Sequence, residues 1–549
     1  MKGKILCKIL GISFAAAMIM CTGTTAGAYM DFDQPDTPSV RVSSYETFGN
    51  FRYDVYDDNT VTIVKYEGNA QKLVIPEKID GKMVKNIILM SYEEYPETIN
   101  TSVSSITLPD SIVCVGLDAL KGLTEINVSS TNENHISIDG ALLSKDGSCL
   151  EAYPTAKKGE YAIPDTVREV CNTVFRKCTG LTSLIIPDSV DRLDLEDCPS
   201  LEKVYVGKRL YMVATCDDCP NLKEINVSKD NPYHTSVDGV LFNKNMTILQ
   251  RYPTARKGSY IIPEGVRDAW GAFKGCAGLT NITFPKGIER IGMFDGCTSL
   301  QNFVIPDGVE RISSFINCTS LTELKIPKSV KKIDRYAFDG CSNLHKIIVP
   351  STAEWDNSDR GTFENCGNGD LTLFSADEIV LGDTVTVNTS PYFNKNSDTY
   401  ALLIKKKSEK KWTVKQNYSS NNIITFKPAK VTDYDICVKV KDSTGKIVKK
   451  FFELKVNEKL KNTSVISAET IKKGSTVTLK GSATGGMGSY QYAVLYKKKS
   501  ESKWTVRQGY KDNSEIIVRP YTNTGYDICI KVQDKDGTIA KKYFSVTVK

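Results

Sequence analysis

The sequence predicts a mainly β chain, a repeat solenoid followed by two β-sandwiches, and three observations carry that reading. Proline follows an apolar residue at steps of 21 to 23 residues over Pro263, Pro285, Pro306, Pro327 and Pro350. A long C-terminal stretch recurs at an offset of 92 residues. Runs such as VTVNT, VTLKG, IITFKP and IIVRP alternate and are divided by Gly, Asn and Asp, as short antiparallel strands are.

The chain opens with Lys2, Lys4 and Lys8, an apolar run from Ile9 to Met20, and small residues ending in Ala26-Gly27-Ala28. This is the layout of a secretory signal peptide over residues 1–28, with cleavage expected after Ala28. Met20 before Cys21 does not suit a lipoprotein site. No later stretch is long and apolar enough to span a membrane, so the mature chain is expected to be secreted or at the cell surface, without a transmembrane segment. Residues 29–50 read as an N-terminal linker.

The repeats follow over residues 51–370. LTNITFPKGIERIGMFDGCTS from Leu279, LQNFVIPDGVERISSFINCTS from Leu300 and LTELKIPKSVKKIDRYAFDGCSN from Leu321 share the template LxxLxIPxxVxxI, then an aromatic, then Cys. Fixed apolar positions at so short a period are the signature of a solenoid, because each coil buries its apolar face only against its neighbours. Cys178, Cys198, Cys219, Cys276, Cys297, Cys318 and Cys341 each stand three residues before the leucine that opens the next coil. Cys216-Asp217-Asp218-Cys219, which has the CxxC spacing of a redox or zinc motif, thus contains one rung of a cysteine ladder. Metal or redox chemistry, a structural disulfide and buried thiols remain the readings of this pair.

A longer unit, LTEINVSSTNENHISIDGALLSKDGSCLEAYPTAKKGEYAIP from Leu123, returns 99 residues later from Leu222. Asp139-Gly140 and Asp238-Gly239 between apolar runs are hairpin signals. His135 and His234 fall at the same position of the two copies, which fits a structural role. The coil from Leu201 to Pro220 lacks an Ile-Pro and is expected to be locally distorted. The last coil, irregular around Trp355 and Cys366, is expected to be a cap.

On these residues the repeats resemble the BspA-type leucine-rich repeats of bacterial surface proteins, and the segment from Tyr53 looks like the start of such arrays. The resemblance implies a curved, β-rich leucine-rich-repeat solenoid and, for the family, adhesion and protein binding. It brings no catalytic residues.

Beyond residue 370, YALLIKKKSEKKWTVKQNY from Tyr400 matches YAVLYKKKSESKWTVRQGY from Tyr492. Two sandwiches are expected, over 371–457 and 463–549. Tyr400, Tyr418 and Tyr434 recur as Tyr492, Tyr510 and Tyr526, so both copies resemble triple-tyrosine-motif domains, an immunoglobulin- or fibronectin-like module. Tyr434 and Tyr526 are placed to serve as tyrosine corners, with Ile436 and Ile528 buried two residues on and Cys437 and Cys529 on the opposite strand face.

Charge is divided unevenly. Residues 1–370 hold 39 Lys and Arg against 48 Asp and Glu, a balance of −9, and residues 371–549 hold 32 against 17, a balance of +15. Lys405, Lys406 and Lys407 recur as Lys497, Lys498 and Lys499 beside Trp412 and Trp504. They read either as lysines blunting strand edges or as contacts to an anionic cell-wall polymer; nucleic acid is not an expected partner.

No HExxH, GxSxG elbow or P-loop is present. Asp191, Asp194 and Asp197 lack a calcium-loop frame and read as solvent-facing turns. No cofactor or metal is expected, and the chain reads as a non-enzyme that binds an extracellular protein or glycan. The alternatives are a structural wall scaffold without a specific ligand and a wall-polymer hydrolase with an unrecognised site. In LxxLxIP the residues between the core positions should face solvent and stack from coil to coil. The expected ligand ladder is therefore Thr280, Asn281 and Thr283; Gln301, Asn302 and Val304; Thr322, Glu323 and Lys325; His345, Lys346 and Ile348.

Overall fold

The computed structural model describes residues 39, 41–89, 100–213, 216, 218–350, 352–355, 361–363, 365–369, 371–389, 398–520 and 522–549. The leader expected over 1–28 lies outside the described residues. The regular structure described is β throughout, apart from one 3-10 turn, Cys366–Gly369. The chain divides into two compact units, one of Met1–Gly258 with Pro263–Leu279 and one of Ser259–Ile262 with Thr280–Lys549.

The first unit opens with an antiparallel meander, Arg41–Phe48, Phe51–Tyr56 and Thr60–Tyr66, whose last strand pairs in parallel with Lys82–Ile88. The expected linker thus holds a strand. Arg41–Phe48 has no buried position along its length, so no apolar alternation announces it. The coils then stack in parallel. Lys72–Val74, Ser105–Leu108 and Glu125–Val128 form one sheet. Gly159–Ala162, Leu181–Ile185, Lys203–Val206 and Glu224–Val227 form another. Within it Tyr161, Leu184, Val204 and Ile225 lie side by side in the core, as the period-2 pattern requires.

Each expected hairpin is present, His135–Ile138 with Ala141–Ser144 and His234–Val237 with Val240–Asn243. Asp139 and Gly140 have φ of 49° and 72°, and Asp238 and Gly239 of 49° and 70°, the positive φ at both central positions that a type I′ turn needs. The amide of Ile126 donates to the Gly140 carbonyl at 2.9 Å and that of Ile225 to Gly239 at 2.9 Å. The hairpin turn therefore occupies the ladder position that a further coil would take. The coil without Ile-Pro stays in register, with Gly207 in place of proline. A Cβ there would lie 2.3 Å from the Pro187 carbonyl oxygen, so only glycine permits the approach of the two coils.

In the second unit the template's aromatic and cysteine acquire a physical meaning. Phe294, Phe315, Phe338 and Phe363 stack with centroids 4.8, 5.4 and 5.4 Å apart, all fully buried. The thiols of Cys318, Cys341 and Cys366 donate to the carbonyls of Phe294, Phe315 and Phe338, at 3.2, 3.0 and 2.9 Å. One coil's phenylalanine thus offers its ring to the next ring and its carbonyl to the next cysteine.

The last coil is not a terminating cap. Glu323–Lys325, Lys346–Ile348 and Thr372–Phe374 pair in parallel, and Thr372–Phe374 then pairs antiparallel with Val385–Thr389, which pairs with Ile423–Phe426. The solenoid sheet runs directly into a sheet of the first sandwich. The facing sheet has the order Glu378–Val380, Ile447–Asn457, Tyr434–Lys441, Thr399–Lys406, Thr413–Ser419. Its second-copy counterpart is Thr470–Ile471, Ile539–Val548, Tyr526–Gln533, Gln491–Lys498, Thr505–Lys511. Phe374 stacks on Phe452 at 5.0 Å within the first core. The Tyr434 hydroxyl donates to the Lys430 carbonyl at 3.4 Å, and the Tyr526 hydroxyl lies 2.6 Å from Thr522 Oγ1, so both tyrosines tie back to the chain four residues upstream. Ile436 and Ile528 are buried, as the tyrosine-corner comparison implies.

Candidate binding surfaces

The strand face of the coils alternates as the repeat template requires. Ile282, Phe303, Leu324 and Ile347 point inward. Thr283, Gln301, Asn302, Val304, Thr322, Glu323, Lys325 and His345 are exposed, and Thr280, Asn281, Lys346 and Ile348 are half-buried. Asn281 and Asn302 form a parallel bridge. Val304 is 74% exposed at the position before Ile-Pro, and Ile261 is 72% exposed at the equivalent position of an earlier coil. In the first unit Val74 is likewise open at this position. Ala162, Ile185, Tyr205 and Asn226 lie there in register. The position is thus apolar in some coils and polar in others, Asn226, Thr283 and Lys325 among them.

The C-terminal end of the ladder is partly used up by the protein itself. Lys346 pairs with Glu323 at 2.9 Å and its ammonium lies 5.7 Å from the Phe452 ring; Lys325 pairs with Asp377 at 2.9 Å. Ile348 packs against the core of the first sandwich. Lys346 and Ile348 therefore turn toward the sandwich. The open part of the ladder spans the positions from Thr280 to Thr322.

The lysine runs expected to contact the envelope are matched locally by carboxylates. Lys405 pairs with Asp435 and Lys406 with Glu409; Lys407 lies 2.9 Å from Glu453, Lys497 3.1 Å from Asp527 and Lys498 2.8 Å from Glu501. Hydrogen bonds donated to these acids raise Lys406, Lys407 and Lys498 above the usual lysine range. Lys405 also lies 5.4 Å from the Trp412 centroid and Lys497 5.6 Å from Trp504, cation–π contacts that brace the indoles. Lys499 is exposed. The runs thus belong largely to the sandwich's own charge network.

The cysteines carry little chemistry. All fourteen from Cys114 onward are thiols, and eleven are buried, Cys216 and Cys219 among them. Burial pushes Cys276 up to about 12, and a hydrogen bond with Cys198, then burial, raises Cys219, so the thiolate is disfavoured in the ladder. The Cys216 carbonyl accepts from Arg251 at 2.9 Å. The thiols that approach each other near the surface are instead Cys149 and Cys171, 3.7 Å apart on adjacent coils. His234 is held by Gln250 at 2.8 Å and the Tyr211 carbonyl at 3.0 Å; at the equivalent site of the other copy His135 Nδ1 lies 2.8 Å from Glu151, without hydrogen-bond geometry. Among the described residues no group of three His, Cys, Asp or Glu is placed to hold a metal ion. No helix described is long and apolar enough to cross a membrane.

Fold and surface together define a leucine-rich-repeat solenoid carrying two immunoglobulin- or fibronectin-like sandwiches. The profile of the BspA type leucine rich repeat region matches in six copies, over residues 151–252 and 270–387. The match begins later than the expected 51–370 and extends past it. No curated protein matches in sequence. Among solved structures, the chain is similar to a leucine rich cell surface protein from Faecalibacterium prausnitzii, at 23% identity and a TM-score of 0.45, covering 62% of this chain and 94% of that one. It is similar to the pneumococcal vaccine antigen PcpA at 22% identity and a TM-score of 0.43, covering 62% and 88%. Fibronectin(III)-like modules of Clostridium thermocellum CbhA align at 12% identity and a TM-score of 0.20, covering 33% and 94%.

Proposed function

We propose that the chain is a non-catalytic binding protein, secreted or held at the cell surface, whose coil strand face takes an extracellular protein or glycan. The observation that supports this most is the open part of the ladder. Polar side chains from Thr280 to Thr322 surround Ile261 and Val304, large aliphatics left exposed without serving the core. The likeness to BspA-type repeats and to proteins described as surface proteins points the same way. We read the sandwiches as triple-tyrosine-motif domains that attach the chain to its envelope. The scaffold reading keeps one observation in its favour: the sheet running from the coils through Thr372–Phe374 into the first sandwich suits a stiff spacer.

Arrays of extracellular proteins and glycans probed with the full chain separate the two. Capture of a discrete ligand that is lost in the Gln301→Ala, Val304→Asp, Thr322→Ala variant, with an unchanged melting curve, is the expected result. Equal capture by the variant places binding elsewhere, and no capture favours the scaffold.

A further inference from the structure

The sandwich sheets carry, on their outer faces, a feature that the lysine runs concealed. In the first copy Leu403, Cys437 and Phe451 sit directly opposite one another on three adjacent strands, with Val414 opposite Leu403 on the fourth. The next row on the same face is Ala401, Lys439 and Lys449. In the second copy the rows are Val506, Leu495, Cys529 and Tyr543, then Ala493, Lys531 and Lys541. Phe451 and Tyr543 are each 62% exposed.

Neither row follows from the needs of the fold. Lys439 faces Lys449, and Lys531 faces Lys541, directly across an antiparallel pair, where like charges destabilise. Among the described residues none of the four has an ion pair. Lys439 and Lys531 do not blunt an edge, since Tyr434–Lys441 and Tyr526–Gln533 are the central strands of their sheets; Lys449 and Lys541 lie on the stretches of Ile447–Asn457 and Ile539–Val548 that the short outer strands Glu378–Val380 and Thr470–Ile471 leave uncovered. The aromatic beside them meets one indole and is otherwise open. Trp412 and Trp504, with centroids 6.2 and 6.0 Å from Phe451 and Tyr543, are braced by Lys405 and Lys497, which leaves the Phe451 and Tyr543 rings as the free apolar surface.

We infer that each sandwich bears a shallow site for an anionic polysaccharide: the Phe451 or Tyr543 ring takes the apolar face of a sugar, and the adjacent lysine pair takes its carboxylate or phosphate. Rows on one face are roughly 7 Å apart, two residues along a strand, so ring and ammonium pair reach one substituted sugar together. A site repeated in two successive domains suits a ligand that itself repeats. Two weak sites on one chain gain roughly 100-fold or more when both engage the same polymer. The inference rests on the sandwiches alone and is independent of the coil strand face.

The test is binding of the full chain to polygalacturonate, which has a carboxylate on each sugar, and to phosphorylated dextran. Neutral dextran supplies sugar without charge, and poly-glutamate supplies charge on a peptide. Binding to either or both charged glycans, at least tenfold above the two controls and falling as salt shortens the Debye length from about 8 Å to about 3 Å at 1 M, is expected. Which glycan binds identifies the anion. The Lys439→Gln, Lys449→Gln, Lys531→Gln, Lys541→Gln variant should lose binding. The Phe451→Ser, Tyr543→Ser variant should also lose it, although its charge is unaltered and its replaced side chains are mostly in solvent. Poly-glutamate binding as tight as that of the glycans, full binding by the serine variant, or no binding to either charged glycan would overturn the inference.

Discussion

The solenoid and the sandwiches both repeat residues at fixed positions, but for opposite physical reasons. In the coils Phe294, Phe315, Phe338 and Phe363, with their cysteine partners, recur because each is buried on the last and each carbonyl meets the next thiol. On the sandwich faces Lys439 with Lys449, Lys531 with Lys541, and Phe451 with Tyr543 recur although Lys439 and Lys531 are only half-buried, the other four are exposed, and the lysines repel each other. Repetition inside a core reports packing. Repetition outside it, at a cost to folding, points to something the surface does.

Five substitutions put this contrast to the test. Phe338→Ala should cost about 3–5 kcal/mol, because it empties a stacked, fully buried site; Phe451→Ser should leave the melting curve nearly unchanged. Glu378→Gln comes next. Burial opposes ionisation of Glu378, but hydrogen bonds from Lys455 at 2.8 Å, Asn457 at 2.9 Å and Lys535 at 3.3 Å hold it down to about 2 from its ordinary 4.5. Because the folded value is depressed, its stabilisation is present above about pH 4.5 and fades as pH falls toward 2. Glu378→Gln should therefore destabilise by roughly 1.5–3 kcal/mol at pH 7 and much less near pH 2, read from denaturant midpoints at the two pH values. Cys341→Ser should cost about 1 kcal/mol, since a hydroxyl can still donate to the Phe315 carbonyl but sits less well than the larger sulfur. The smallest effect has the opposite sign. Lys449→Gln should raise the melting temperature by about 1 °C by relieving repulsion with Lys439.

The thiols give a further check on the buried side of the contrast. A thiol reagent should label exposed Cys171 first in the native protein, and the ladder cysteines only after denaturation. Fast labelling of Cys318 or Cys341 would mean that the ladder is open.

What was legible in the sequence was whatever repeats in one dimension. The Leu-x-x-Leu-x-Ile-Pro coil, the cysteine rungs, the two Asp-Gly turns and the tyrosine ties are all set by residues close along the chain. What depended on cross-strand register was not. Lys405 to Lys407 formed the densest charge in view, yet Asp435, Glu409 and Glu453 pair with them, Asp435 from the neighbouring strand and Glu453 from the strand beyond it. Lys439 and Lys449 stand ten residues apart in sequence and only the sheet sets them face to face. Ile348 looked like a ladder position until the sandwich packed on it. The strand Arg41–Phe48 escaped because it buries nothing.

The most direct test of the contrast is ligand-induced stabilisation of the full chain. Polygalacturonate or phosphorylated dextran should raise the melting temperature of the native protein, since a ligand that binds only the folded state stabilises it. The same addition should leave the Lys439→Gln, Lys449→Gln, Lys531→Gln, Lys541→Gln variant unshifted, while that variant melts no lower than the native protein in the absence of ligand. An equal shift in both proteins would place the glycan elsewhere, and a variant that melts well below the native protein without ligand would show that the exposed repeats serve the fold; either result contradicts the account.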